Sequence, residues 1–158
     1  MKSLRIRKAT ESDLPHIVLI ENSSFNQPYP IDLLKRLLRQ YGDTFLVAEE
    51  DGKLVGYSAA SMKHRAAHLI SIGVLMGYRR KGVATSLLKH LVLILRRGGA
   101  DELWLEVKSE NNEAVSLYEK FGFERMNIVQ DYYSDGSAAV RMRLGLDKDV
   151  LTMERGRR

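Results

Sequence analysis

The sequence predicts an α/β layer protein with a mixed sheet, on three observations. Between residues 44 and 75 three strand-like segments follow one another, with a strong hairpin signal, Asp51-Gly52, between the first two. From residue 82 onward helix-like and strand-like segments alternate, which implies parallel pairing through a right-handed crossover. No internal repeat, low-complexity tract or linker divides the 158 residues, a length that suits one domain of roughly 100–200 residues.

Each element has a local reason. Leu4 and Ile6 alternate with Arg5 and Arg7, as in a strand with one buried face. Thr10 and Asp13 have capping-box spacing ahead of Leu14, Ile17, Val18 and Ile20, which recur at helical intervals. Residues 25–30, Phe-Asn-Gln-Pro-Tyr-Pro, cannot be regular helix, because each proline drives its predecessor out of the α region. A second helix follows over 32–40, with Leu33, Leu34, Leu37 and Leu38 on its apolar side. Strands are expected over 44–49, 53–62 and 67–75, then a helix over 82–97, a strand over 102–107 and a helix over 112–121. Two last strands, 123–130 and 138–144, are joined through Asp135-Gly136.

Composition narrows the function. Hydrophobic residues at 44% and charged residues at 28% are ordinary for a globular chain. The absence of cysteine removes disulfides, thiolate metal sites and a cysteine nucleophile, and it fits a reducing compartment. The longest apolar stretch, 87–95, is broken by Lys89 and His90, short of the ~20 residues of a membrane span. The first residues show no signal-peptide core, so a soluble, cytoplasmic protein is expected. The charge of +5 bears on encounter with anions and not on fold. His16, His64, His68 and His90 show no metal-ligand spacing, read as surface or core residues, and no metal is expected. The basic excess lacks the aromatic interleaving of a nucleic-acid module.

Most of the chemistry is carried by Arg79-Arg80-Lys81-Gly82-Val83-Ala84-Thr85. A strand, a glycine turn and a helix start present orphan backbone N–H groups and the positive end of a dipole, which together bind anions. Gly77 and Gly82 have the separation of a triphosphate loop, but Val83-Ala84 stand where Lys-Ser/Thr is required. An ordinary strand-to-helix turn accounts for the segment about as well as a phosphate site.

The run from Val74 to Ala84 resembles the Arg/Gln-x-x-Gly-x-Gly/Ala motif of the GNAT superfamily of acyl-CoA N-acyltransferases. Leu105-Glu106-Val107, Asn111, Ala114, Leu117-Tyr118 and Phe121-Gly122-Phe123 resemble that superfamily's second motif region. Tyr132-Tyr133-Ser134-Asp135-Gly136 is similar to the Tyr-Tyr-x-Asp-Gly segment of its protein Nα-acetyltransferase, RimI-like branch, and residues 25–30 to that branch's Pro-Tyr-Pro loop. The likeness covers nearly the whole chain up to about Leu144. It implies a GNAT fold: a mixed, mostly antiparallel sheet of about seven strands, a central parallel splayed pair and about four flanking helices. Residues 1–145 would form the acetyltransferase domain and 146–158 a basic tail.

The resemblance further implies acetyl-CoA as acyl donor, with its pyrophosphate on the amides of Arg79, Arg80, Lys81, Gly82, Val83, Ala84 and Thr85. Ile72, Gly73 and Val74 would offer backbone groups to the acetyl and pantetheine amides, and Asn111 and Tyr118 would flank the cofactor. Those two lie seven residues apart, two helical turns or roughly 10 Å. Without the resemblance, Asn111 reads as a helix N-cap and Tyr118 as a core aromatic. Glu106 is the expected base and Tyr118 the acid for the departing thiolate. Phe25, Pro28, Tyr29, Tyr132 and Tyr133 would line the peptide path; packing of hairpin aromatics on the sheet explains one of the last two more easily than both, since neighbours on a strand point to opposite faces. The chain departs from that branch in having no carboxylate in the 25–30 loop, where some relatives carry one, and in carrying Ser137-Ala138 in place of the acidic pair that often follows Asp-Gly.

Amine chemistry favours an α-amine as acceptor. Its reference pKa is about 7.7–8.0 against about 10.4 for lysine, so ~10–20% of N-termini are uncharged at neutral pH. Protein N-termini, including ribosomal proteins or nascent chains, are the expected partners. Lysine or small-amine acetylation and a non-catalytic acyl-CoA-binding module are the alternatives. Glu106 and Tyr118 count against the last, since a sensor needs neither.

Overall fold

The computed structural model describes residues 3–146. The alternating start of the chain forms β1 (Leu4–Lys8), and a 3-10 turn at Glu11–Asp13 leads into α1 (Leu14–Ser24). The prolines end that helix, and α2 (Ile31–Gln40) begins directly after Pro30, whose extended backbone is its cap. Strands β2 (Phe45–Glu50) and β3 (Lys53–Lys63) are joined by Asp51 at φ +51° and Gly52 at φ +81°, the two positive angles of a type I′ hairpin. There follow β4 (Ala66–Val74), α3 (Val83–Arg97), β5 (Glu102–Lys108), α4 (Asn112–Phe121), β6 (Glu124–Val129) and β7 (Ala139–Gly145). The sheet has seven strands in the order β1-β2-β3-β4-β5-β7-β6, and the β4–β5 pair is parallel.

The described residues form two compact units, 3–61 with 69–95, and 62–68 with 96–146. In the first, Leu14, Ile17 and Ile20 of α1, Leu34 and Leu37 of α2, and Phe45, Val47 and Tyr57 of the sheet share one core. Burying each large side chain contributes roughly 1.5–3 kcal/mol. Val83, Leu87, Leu88, Leu91 and Leu95 give α3 its buried stripe.

In the second unit β5 buries Leu103, Leu105 and Val107 and turns Trp104 and Glu106 to the other face, as alternation requires. The parallel ladder pairs Ala66–His68 with Glu102–Trp104. β7 then pairs with β5 along its whole length and carries β6 on its outer side. That insertion of the last strand between two earlier ones is set by long-range pairing, and nothing in the local periodicity announces it. Of the residues expected as a basic tail, Leu146 is buried and donates its N–H to the Asp101 carbonyl, at 2.7 Å. Residues 147–158 lie outside the described residues.

Asp13 shows how the first unit is fastened. Its carboxylate accepts two bonds from the Arg7 guanidinium, at 2.7 and 2.9 Å, and one from Thr10 N–H at 2.7 Å. The Arg7 bonds outweigh burial and hold the carboxyl down at about 2, from an ordinary 3.8. A depressed carboxyl stabilises the fold above its unfolded pKa, and that share is lost as pH falls through the folded one. An Asp13→Asn variant is therefore expected to be less stable than wild type at pH 7 in urea denaturation. Its deficit should shrink as the pH is lowered from 3.8 towards about 2.

Candidate active site

In the first unit the chain leaves β4 at Val74, passes a 3-10 turn at Met76–Tyr78 and reaches α3 through Arg80 at φ +62° and Gly82 at φ +84°. The first turn of α3 closes with Ser86 N–H donating to the Gly82 carbonyl at 3.0 Å. The amides of Val83, Ala84 and Thr85 therefore lie ahead of the helical ladder, where N–H groups have no intrahelical acceptor. Gly82 has open space where a Cβ would stand, so its glycine is required by the backbone angle and not by crowding.

Two other glycines act by crowding. A Cβ on Gly56 would meet Val83 Cγ1 at 2.9 Å and the Gly73 carbonyl at 3.2 Å, so its absence lets the start of α3 sit close on the sheet. A Cβ on Gly73 would meet Ile20 Cγ2 at 2.9 Å and Tyr57 Cε1 at 3.3 Å. Gly73 is thus needed for packing, and Ile72 and Val74 flank it on the same strand. The Arg79 side chain turns back from the loop: its Nε donates to the Val74 carbonyl at 3.0 Å and its NH2 to Ser24 Oγ at 3.3 Å. Lys81 lies over the Tyr78 ring at 5.7 Å, with Lys53 at 5.4 Å.

Phe25 and Pro28 are exposed in the 25–30 loop and Tyr29 is half-buried against the first unit's core. Behind that loop sits a cluster with no sequence signature. Glu21, 1% exposed, accepts from Tyr29 N–H at 2.9 Å, from Tyr57 OH, and from Ser71 Oγ at 3.2 Å. Burial, then the Glu21 carboxylate, raises the pKa of the Tyr57 phenol, keeping it a donor.

The second unit gathers the residues with proton chemistry. Register places Arg141 directly across from Glu106, and His68 across from Trp104 on the other neighbouring strand. Both reach the same carboxylate: His68 Nε2 lies 2.6 Å from Oε1, and Arg141 Nε donates to Oε2 at 3.1 Å. Tyr132 OH adds a bond to Oε1 at 3.3 Å. His68, foremost, and Arg141 lower the Glu106 pKa against the opposing effect of burial, so the carboxylate is ionised at neutral pH. With Glu106 ionised, His68 donates through Nε2.

Tyr118 is buried on α4 and packs edge-to-face on Phe123 at 5.6 Å between centroids. Burial, helped by the Tyr133 phenol, pushes its pKa up, so it keeps its proton across the physiological range. Asn111 is the N-cap of α4, its Oδ1 accepting from Ala114 N–H at 3.1 Å.

Tyr132 and Tyr133 lie in the connection between β6 and β7, beyond the expected strand end at 130. β6 stops at Val129, Asp131 at φ +52° turns the chain, and the two rings stack edge-to-face at 4.9 Å. Lys108 lies 5.5 Å from the Tyr133 ring and donates to Asp135 at 3.0 Å, which fixes the loop.

The described residues contain no group of three or more His, Asp or Glu able to hold a metal ion, and no helix long and apolar enough to cross a membrane.

Residues 13–123 match the profile of the acetyltransferase (GNAT) family. The N-alpha-acetyltransferase of Sulfolobus acidocaldarius is 36% identical over 151 residues, covering 87% of this chain and 90% of that one. The crystal structure of Ard1 from Thermoplasma volcanium superposes with a TM-score of 0.88 at 28% identity, covering 92% of this chain and 99% of that one. The ribosomal-protein-S18-alanine N-acetyltransferase from Escherichia coli superposes at 0.82 with 29% identity, covering 92% and 95%. The chain belongs to the acetyltransferase (GNAT) family. It is an acetyl-CoA-dependent N-acetyltransferase.

The chain's own residues fit that donor, since three helix-start amides behind a positive-φ glycine are the kind of donors that would hold its diphosphate. Replacing Gly82 with valine puts a β-branched side chain at a positive φ, a cost of roughly 1–2 kcal/mol that the loop escapes by turning its amides. Calorimetry on Gly82→Val is expected to show about tenfold weaker acetyl-CoA binding with the fold intact. An unchanged affinity would remove the pyrophosphate from this loop.

Proposed function

We propose that this protein transfers the acetyl group of acetyl-CoA to the α-amino group of protein N-termini, by direct attack of the amine in a ternary complex. The observation that supports it most is the Glu106 cluster: an ionised carboxylate bonded to an imidazole and to a phenol of the Tyr132-Tyr133 loop. Such a pair takes up the proton that the amine gives up as it attacks, and the low pKa of an α-amine already leaves ~10–20% of it uncharged at neutral pH. In this reading residues 1–145 work as one acetyltransferase domain.

Bound acetyl-CoA supplies the thioester carbonyl. The amides of residues 79–85 hold the diphosphate, and Asn111 lies along the pantetheine. Val74 N–H donates to the carbonyl oxygen, the kind of preorganised donor that lowers the barrier to acyl transfer. Glu106, with His68 beside it, takes the proton of the attacking amine directly or through water. Tyr118, protonated by virtue of its burial, gives a proton to the thiolate. Phe25, Pro28, Tyr29, Tyr132 and Tyr133 contact the peptide's first residues with apolar rings and hydroxyls. Substrates of this class, ribosomal proteins or nascent chains met in the cytoplasm, belong to the same proposal.

The test is a library of peptides with free N-termini, with thiol release measured and the modified nitrogen mapped by mass. Acetyl groups on α-amines are expected; acetylation confined to ε-amines would overturn the reading. The pH profile sharpens it. Because the Glu106 pKa lies below its ordinary 4.5, Glu106 adds no rising limb above that pH. The rate constant kcat/KM should instead climb with pH towards about 8, following the α-amine.

A further inference from the structure

Glu21 is spent on a task that the reaction itself does not explain. Burying a carboxylate is expensive unless every oxygen is bonded. Here both are: Oε1 takes Tyr29 N–H at 2.9 Å, and Oε2 takes Tyr57 OH and Ser71 Oγ, themselves 2.7 Å apart. The backbone of the same residue accepts Phe25 N–H at 3.0 Å. Glu21 therefore grips the loop at both ends, Phe25 through its carbonyl and Tyr29 through its side chain. Between Pro28 and Pro30, neither of which has an N–H, the Tyr29 amide is the one backbone donor the sequence leaves available. The bond to Ser71 carries the grip to β4, one residue before Ile72.

We propose that Glu21 is a positioning residue for the peptide: it fixes the shape of the 25–30 loop, and through Ser71 its alignment to β4. This rests on the assignment of that loop to the peptide path in the Nα-acetyltransferase reading above. A charge-assisted bond is roughly twice as strong as a neutral one, which suits a loop with little packing of its own. The carboxylate touches no reacting atom.

The experiment compares wild type, Glu21→Ala and Glu21→Gln as full chains. It measures peptide KM, kcat, acetyl-CoA Kd and exchange of the Tyr29 amide. Glu21→Ala should raise peptide KM by about tenfold to a hundredfold, as small misplacements of a binding wall do, with acetyl-CoA Kd within about twofold. The Tyr29 amide, slow in wild type, should exchange fast. Glu21→Gln keeps an oxygen for that amide and should recover most of the KM. If Glu21→Ala does not fold, Glu21→Met fills the same space without an acceptor and makes the same comparison. An unchanged KM in a folded Ala or Met variant overturns the proposal, as does an equal rise in acetyl-CoA Kd or a Gln variant as impaired as Ala. A wild-type protein that leaves peptide N-termini untouched brings down the underlying reading instead, and that failure appears before any variant is assayed.

Discussion

Tyr118→Phe is expected to lower kcat by roughly 10²–10⁴-fold, the range over which a positioned acid or base acts. The substitution removes one oxygen and keeps the ring that packs edge-to-face on Phe123. Acetyl-CoA affinity and the thermal midpoint should therefore stay near wild type, which separates loss of the proton donor from loss of the core. The direction of the phenol's shift matters here. Burial raises it, so the group is protonated at every pH at which the amine is reactive, the state that a donor to thiolate requires. A Phe variant that turns over at the wild-type rate would remove Tyr118 as the acid and leave the thiolate to depart unaided.

Glu106→Gln should cost a comparable roughly 10²–10⁴-fold in kcat. Glutamine preserves the shape, but it cannot serve His68 and Arg141 with two anionic oxygens. Arg141 is then left without its carboxylate, which removes a pair with 11% side-chain exposure on the acid's side. His68→Ala separates the two contributions: it removes the imidazole and leaves the Arg141 pair and the carboxylate in place. If Glu106→Gln retains kcat within about twofold of wild type, the amine does not need this carboxylate, and positioning alone carries the rate.

What could be read from the residues followed the range of the signals. The Asp51-Gly52 hairpin, the Pro28–Pro30 break, the helix start at Gly82 and the Asn111 cap depend on interactions over four residues or fewer. All appear where their chemistry requires them, with ends displaced by a residue or two. The cluster around Glu106 was visible only as a single glutamate on the polar face of a strand. His68 is 38 positions away and had no spacing to mark it. Nothing near Arg79 in sequence marks the bond of its guanidinium to Ser24, 55 positions away. The Tyr132-Tyr133 pair falls beyond the expected strand end at 130, and only the structure shows that a positive-φ aspartate turns the chain there so that the two rings meet.

By itself the sequence determined the elements, the glycine turn ahead of α3 and the α/β class, because each rests on hydrogen bonds and side-chain periods closed within a few neighbouring residues. Tertiary structure alone decided that β7 enters between β5 and β6, that Glu106 is shared by His68, Arg141 and Tyr132, and that Glu21 holds the 25–30 loop. Those contacts join residues eight to 50 positions apart, and their energy comes from strand register and the removal of polar groups from water, neither of which a local pattern encodes.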